Sequence, residues 1–262
     1  MKNKLLVIIP LHQFDNDVKT LLEDAIKSVP SDVDISLSIP KSIKKNIEDG
    51  MDLPKNLTLA VNENDEKSFT ELVNSAVNEN YDWFSILEYD DEYTPIWFDN
   101  VDKYIDYKSD YSIFLPFEDL IDYNEKEYLG MGNVAPWASS FSNEIGVIDL
   151  DCLQNYFEFY LTGSVFNTKD WKEIGGLKHN IPIYFWYEFV LRATNKGKKI
   201  FVIPKVGYNH YIGRKNSLLD IYKNSFNEDE AKYWMNVAKK EYFFIEQREV
   251  KAYSPKTDSD NN

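Results

Sequence analysis

Between Lys4 and Pro10 the chain runs Lys-Leu-Leu-Val-Ile-Ile-Pro, a short unbroken apolar stretch closed by proline. Such a run without polar alternation predicts a strand buried on both faces, as in a parallel sheet. From Asp17 to Ser28 the apolar positions fall at Val18, Leu21, Leu22, Ala25 and Ile26, with Val29 just beyond. This is helical spacing, and Asp15 to Asp17 supply an N-cap. Val33 to Ile39 alternates as a strand, Ser42 to Asp49 is a short helix, and Leu57 to Val61 is a third strand. Ser68 followed by Glu71 forms a capping box before a helix whose face is Phe69, Leu72, Val73, Ala76 and Val77. Trp83 to Leu87 is a fourth apolar strand. The β-α-β-α-β-α-β order predicts an α/β fold with a mostly parallel central sheet over about the first hundred residues.

The second half has a different rhythm. Tyr111 to Phe117, Tyr128 to Met131 and Glu144 to Leu150 read as strands of a small mixed sheet. Phe157 to Asn167 is apolar and ends in a turn. Lys169 to Ile174 is a short helix stopped by Gly175-Gly176, and Tyr184 to Lys196 a helix ending at Gly197. Lys199 to Pro204 is a strand that Val206 to Tyr211 continues past the proline. Asn227 to Phe244 reads as a long amphipathic helix with an acidic first turn, and the last dozen residues as a disordered tail. The pattern divides one domain, 1–249, into halves 1–105 and 106–217 with a C-terminal helix at 218–249, followed by the tail at 250–262.

Composition narrows the function classes. Of the 262 residues, 43% are hydrophobic, enough for a sizeable core. Lys+Arg 29 against Asp+Glu 44 gives a net charge of −15, which repels a phosphate backbone, so no nucleic-acid binding is expected. The single cysteine, Cys152, excludes an intramolecular disulfide and reads as a small buried hydrophobe. No transmembrane segment or signal peptide stands out, and the chain reads as soluble and cytoplasmic. Aromatic residues make up 15%, which fits either a site for something flat or sugar-like or a bulky core.

The chemistry concentrates after the fourth strand, where Glu88, Asp90, Asp91 and Glu92 place four carboxylates in five residues. Ligands of open α/β sheets bind at the carboxyl ends of strands. On extended backbone Glu88 and Asp90 share a face. Side-by-side carboxylates repel unless a cation lies between them or one is protonated. Oxygen ligands in this number suit Mg²⁺ or Mn²⁺. The alternative is a solvated acidic turn.

These segments together resemble the nucleotide-binding half of GT-A fold glycosyltransferases of the family 2 type. The resemblance rests on Val7 to His12 (VIIPLH), on Leu72-Val73-Asn74-Ser75-Ala76, and on Ser85 to Phe98 (SILEYDDEYTPIWF). In the last segment Glu88-Tyr89-Asp90 stands for the family's DxD motif. It continues through Trp171 to Leu177, Glu188 to Gly197 and His210 to Arg214, covering about residues 4 to 217. It implies a GT-A (Rossmann-like) fold and an inverting transfer from a nucleotide-sugar, UDP being the common nucleotide, to a glycan, protein or other hydroxyl acceptor. A divalent cation, Mn²⁺ or Mg²⁺, would stabilise the diphosphate leaving group.

The resemblance also distributes roles. Asp90 is the first metal ligand, Asp91 is a ligand or an orienting group, and His210 is either a ligand from the opposite side or a packed histidine. Glu88 reaches the metal through water, or the ribose. Pro10, Leu11 and His12 lie where the family holds the nucleoside. Asn74 faces base and ribose in relatives, or is an exposed helix residue. Arg214 and Lys215 close over the phosphates, or form a solvated basic loop.

Three departures bear on activity. Ser36 to Pro40 replaces the acid that follows strand two in the family. Glu88 replaces the first Asp of the DxD motif. Counting back from Arg192, the family's ED pair falls on Phe185-Trp186. Glu188 is the nearest carboxylate and the candidate base, or it pairs with Arg192 at i+4. Trp186, Tyr184, Tyr187 and Trp137 read as an acceptor platform or as core. The competing function is a non-catalytic GT-A-like protein with a glycan-binding, structural or accessory role.

Overall fold

The computed structural model describes residues 3–65, 68–138, 144–156, 159–181, 184–215, 217, 220 and 233. The first half alternates as the apolar pattern predicts: β1 (Leu5–Pro10), α1 (Asn16–Ser28), β2 (Asp34–Pro40), a 3₁₀ turn (Lys41–Ile43) leading into α2 (Lys44–Gly50), β3 (Leu57–Asn62), α3 (Phe69–Ala76) and β4 (Trp83–Ile86). β5 (Glu92–Tyr93) and α4 (Trp97–Tyr107) follow. The second half is β6 (Ile113–Asp122), β7 (Tyr128–Gly132), α5 (Val134–Trp137), β8 (Val147–Ile148), α6 (Leu150–Asn155), β9 (Val165–Asn167), α7 (Thr168–Ile174), α8 (Phe185–Asn195) and β10 (Ile200–Ile212).

Among the described residues ten strands make one mixed sheet, in the order β3-β2-β1-β4-β9-β6-β10-β5, with β7 on β6 and β8 on β10. β1, β2, β3 and β4 are mutually parallel, as are β6 and β10. β9 joins the two parallel sets by running antiparallel to both β4 and β6. The second-half strands therefore extend the central sheet and do not form a separate small one.

Both faces are covered, which is why β1 is apolar at every position. Leu5, Val7 and Ile9 pack with Val18, Leu22 and Ala25 of α1, whereas Leu6 and Ile8 pack on the other face with Phe69 and Val73 of α3. Asp15 caps α1, its side chain accepting the Val18 N–H at 2.9 Å. Ser68 stands at the N-cap of α3 but does not make the side-chain capping bond of a capping box. The strand expected over 144–150 shrinks to β8, because Asp149 accepts the Cys152 N–H at 2.8 Å and starts α6 at Leu150. β10 crosses Pro204 as one strand, with register shifts against β6 between Val202 and Tyr208. Cys152 is fully buried in the core, as expected. Apart from Tyr233, which is helical, the helix read at 227–244 and the tail read at 250–262 lie outside the described residues. No helix of the described residues is long and apolar enough to cross a membrane.

Candidate active site

The acidic segment leaves the sheet at its centre. Leu87 N–H still bonds to Ile8 O at 2.9 Å, and then the chain turns, with Asp91 N–H donating to Glu88 O at 3.1 Å. Residues 88–91 are thus a turn and not the extended strand end expected from the sequence, so the carboxylates point in different directions. Tyr208 of β10, fully buried, accepts the Glu88 N–H on its hydroxyl at 3.0 Å. The chain before β9 passes under that ring at Gly163, whose φ is +75° and where a Cβ would come within 2.7 Å of Tyr208 Cγ. Only glycine meets both demands.

Asp90 and Asp91 have separate partners. Asp90 Oδ2 lies 2.7 Å from Arg214 Nε. The same guanidinium donates to the Tyr89 hydroxyl and lies 5.0 Å from the centre of the Tyr89 ring. Asp91 is buried, and its Oδ1 accepts the Tyr211 N–H at 2.8 Å. His210 is bonded through Nδ1 to Glu118 Oε2 at 3.2 Å, with its ring edge-on to Tyr160 at 5.5 Å. Glu118 is fully buried on β6, and its Oε1 has no hydrogen-bond partner among the described residues.

These groups titrate as one neighbourhood. Burial and the charges of Asp90 and Glu118 push Glu88 up to about 7, against the pull of His210 and Arg214. Burial also holds Asp91 well above the usual carboxylate range, with His210 opposing. Glu118 is raised by burial. Burial alone would lower His210, but Asp91, Glu118 and Glu88 together lift it to about 10, which favours the imidazolium. Burial and the neighbouring Asp90 raise the Tyr89 phenol to about 12.

The structure therefore brings Glu88, Asp90, Asp91, His210 and Arg214 together, and adds Glu118, Tyr89 and Tyr208. Glu118 was detectable as the first acid after the apolar start of β6, and Tyr89 as the central residue of the Glu-Tyr-Asp triplet. Nearby, the His12 ring lies 5.9 Å from that of Tyr89, so the end of β1 borders the cluster. Pro10 and Leu11 are buried, and Leu11 N–H continues the ladder to Ser38 O at 2.9 Å. Lys215 is exposed.

Asn74 and Glu188 belong to a different construction. Asn74 donates from Nδ2 to Leu177 O at 2.7 Å and accepts the Leu177 N–H at 2.9 Å, fastening α3 to the turn after α7. Gly176, φ +64°, lies against it, where a Cβ would be 2.5 Å from Asn74 Oδ1. Glu188 is fully buried, and both of its oxygens are bonded to Arg192 at 2.8 and 2.9 Å, with Lys178 Nζ at 2.8 Å. Arg192 also donates to Ile174 O and Gly176 O. Trp186 stacks parallel to Phe166 at 6.0 Å and packs half-buried against the core, and Tyr187 is buried with its hydroxyl donating to Leu153 O, so Tyr187 belongs to the core and Trp186 to its edge.

The donor types suit a divalent cation, but their arrangement does not. Asp90 is engaged by Arg214, Asp91 by an amide and His210 by Glu118. Among the described residues no three His, Cys, Asp or Glu side chains converge to hold a metal ion.

No protein-family model and no curated protein matches the chain. Solved structures do. S. aureus TarS 1–349 in complex with UDP-GlcNAc superposes with a TM-score of 0.61 at 13% identity, covering 84% of this chain and 61% of that one. The complex with UDP gives 0.58 at 14%, covering 84% and 62%. This is the GT-A fold. The GT-A chain spans about 60% of TarS 1–349 and 37% of a longer TarS structure. The resemblance to family 2 glycosyltransferases is borne out at the level of the fold.

Proposed function

We propose that the chain is a glycosyltransferase that takes a sugar from a nucleotide-sugar donor, of the uridine diphosphate type, and delivers it to a hydroxyl acceptor with inversion. The observation that carries the reading is the convergence of Glu88, Asp90, Asp91, His210 and Arg214 at the carboxyl end of β4 in a GT-A sheet. The TarS complexes with UDP-GlcNAc and UDP support the donor class. In the reaction the C1–O bond to the diphosphate breaks and its electron pair stays with the leaving oxygen. The acceptor oxygen bonds C1 from the opposite face and loses its proton to a base. His12 and Tyr89 would border the nucleoside, and Arg214 and His210 would face the developing diphosphate charge. The metal-assisted form of the reaction, with Mn²⁺ or Mg²⁺ on Asp90, Asp91 and His210, requires Asp90 to release Arg214.

A second reading, donor binding without transfer, draws on Glu188. Its oxygens are committed to Arg192 and Lys178, and Trp186, at the position counted for the family's ED pair, is an aromatic packed against the core. Calorimetric titration with UDP and UDP-GlcNAc tests the donor site, and UDP release from UDP-GlcNAc in the presence of glycan acceptors tests transfer. Binding with turnover supports the first reading, and binding without turnover the second. A folded protein that binds neither ligand refutes both.

A further inference from the structure

Arg214 already pairs with Asp90, the acid first expected to hold a cation. Its Nε is 2.7 Å from Asp90 Oδ2, with the two side chains only 11% and 8% exposed. The guanidinium lies over the Tyr89 ring and donates to the Tyr89 hydroxyl, so its plane is fixed from two directions. These contacts use Nε and Nη2. Nη1 makes no hydrogen bond among the described residues, and a guanidinium presents its remaining donors as a fork that matches phosphate oxygens.

The rest of the cluster is balanced in the same manner. His210 is held against Glu118 on one side and lies near Asp91 and Glu88 on the other. The Asp91 carboxylate accepts a backbone amide. Arg214 thus already pairs with Asp90, His210 is held by Glu118, and no three ligands converge on a common point among the described residues. A divalent ion taking Asp90 Oδ2 as a ligand would have to displace Arg214 from it. A diphosphate would not, because it brings acceptors to donors that are unspent.

We propose that Arg214, braced by Asp90 and Tyr89, meets the diphosphate of the nucleotide-sugar in place of a divalent cation. The inference rests on the donor-site reading above and deepens it: the electrostatic partner of the leaving group is a side chain, and Asp90 acts as a positioning residue for it.

The test is calorimetric titration of UDP into the full chain, once with EDTA and once with Mn²⁺, with uridine as the ligand lacking phosphates. The expected result is UDP binding in EDTA within about twofold of that in Mn²⁺. Arg214→Gln is expected to weaken UDP by about 10–100-fold, the loss of a charge-assisted contact, and to leave uridine unchanged. Arg214→Lys, which keeps the charge without the fork, should fall between them. The wild-type EDTA and Mn²⁺ titrations decide the matter even where Arg214→Gln fails to fold. UDP binding that appears only with Mn²⁺, or unaltered UDP affinity in folded Arg214→Gln, overturns the inference and leaves the donor site standing. No UDP binding by the folded wild type in either buffer removes the donor-site reading itself.

Discussion

Replacing Arg192 with alanine probes whether Glu188 is anchored or available. Arg192 makes four hydrogen bonds, two to Glu188 at 2.8 and 2.9 Å and one each to Ile174 O at 2.6 Å and Gly176 O at 2.8 Å. Its side chain is 12% exposed and that of Glu188 is 0%. Removing one partner of a buried pair costs about 3–5 kcal/mol, because the other charge is left uncompensated. Lys178 Nζ, 2.8 Å from Glu188 Oε1 but 42% exposed, retains part of that compensation, which points to the lower end, about 3 kcal/mol. For a chain of this size that corresponds to a fall in Tm of about 6–12 °C. Urea unfolding at neutral pH, followed by tryptophan fluorescence, reads the change, since Trp171 and Trp186 lie in the same core cluster. A loss below about 1 kcal/mol at unchanged m-value would refute the reasoning. Glu188→Gln separates the two roles. An anchor loses stability on this change, whereas a base loses turnover with stability intact. The double change Glu188→Met with Arg192→Met should recover much of the loss, since apolar replacements of a buried pair are often tolerated.

Three further outcomes follow from the same geometry. Because the folded His210 pKa is raised to about 10 from its ordinary 6.5, its contribution to stability is complete below about pH 6.5 and disappears as pH rises through 10. The urea midpoint of the wild type should therefore approach that of His210→Gln across this window, and a constant gap between them would contradict the assigned charge. Gly163→Ala adds a Cβ at φ +75° against the Tyr208 ring and should cost about 2–5 kcal/mol in strain and overpacking, measured by thermal unfolding. An ordinary melting temperature in that variant would disprove the close approach. Cys152 is fully buried, and burial with the charge of Asp149 lifts its thiol to about 12, so it should resist thiol reagents in the native state and react only on unfolding, as a colorimetric thiol assay can follow.

β1 and β4 were legible because each must be apolar on two faces, which leaves little room for another reading of Leu5–Pro10 or Trp83–Ile86. The location of the acidic cluster was legible for the same reason, since it follows directly from a buried strand. Its internal arrangement was not. Glu88 and Asp90 were assigned to one face on the assumption of extended backbone, whereas the Glu88–Asp91 hydrogen bond turns the chain. Glu118 and Tyr208 enter the site only through the pairing of β6 with β10, and sequence spacing carries no information about that register. The strand expected over Glu144–Leu150 is only two residues long, and α6 after it went unread, because both are too short for periodicity to register. Asn74 shows the limit of carrying roles over from relatives: the residue lies in the matching segment, but its amide is spent on the Leu177 backbone.

The contacts that complete the cluster join residues far apart in the chain. Glu88 to Tyr208 and Asp91 to Tyr211 each span 120 positions, and Asp90 to Arg214 spans 124. β4 and β10 are not neighbours in the sheet either, because β9 and β6 lie between them. During synthesis the acidic turn therefore emerges long before the imidazole and guanidinium that neutralise it. Closing so large a loop is slow, and its entropy is spent before the pairing is gained. Until β10 docks, the nascent first half carries an acidic turn without its cations at the end of a strand that must be buried. Ribosome-bound chains of increasing length should accordingly gain protease resistance in one late step, as β10 clears the exit tunnel.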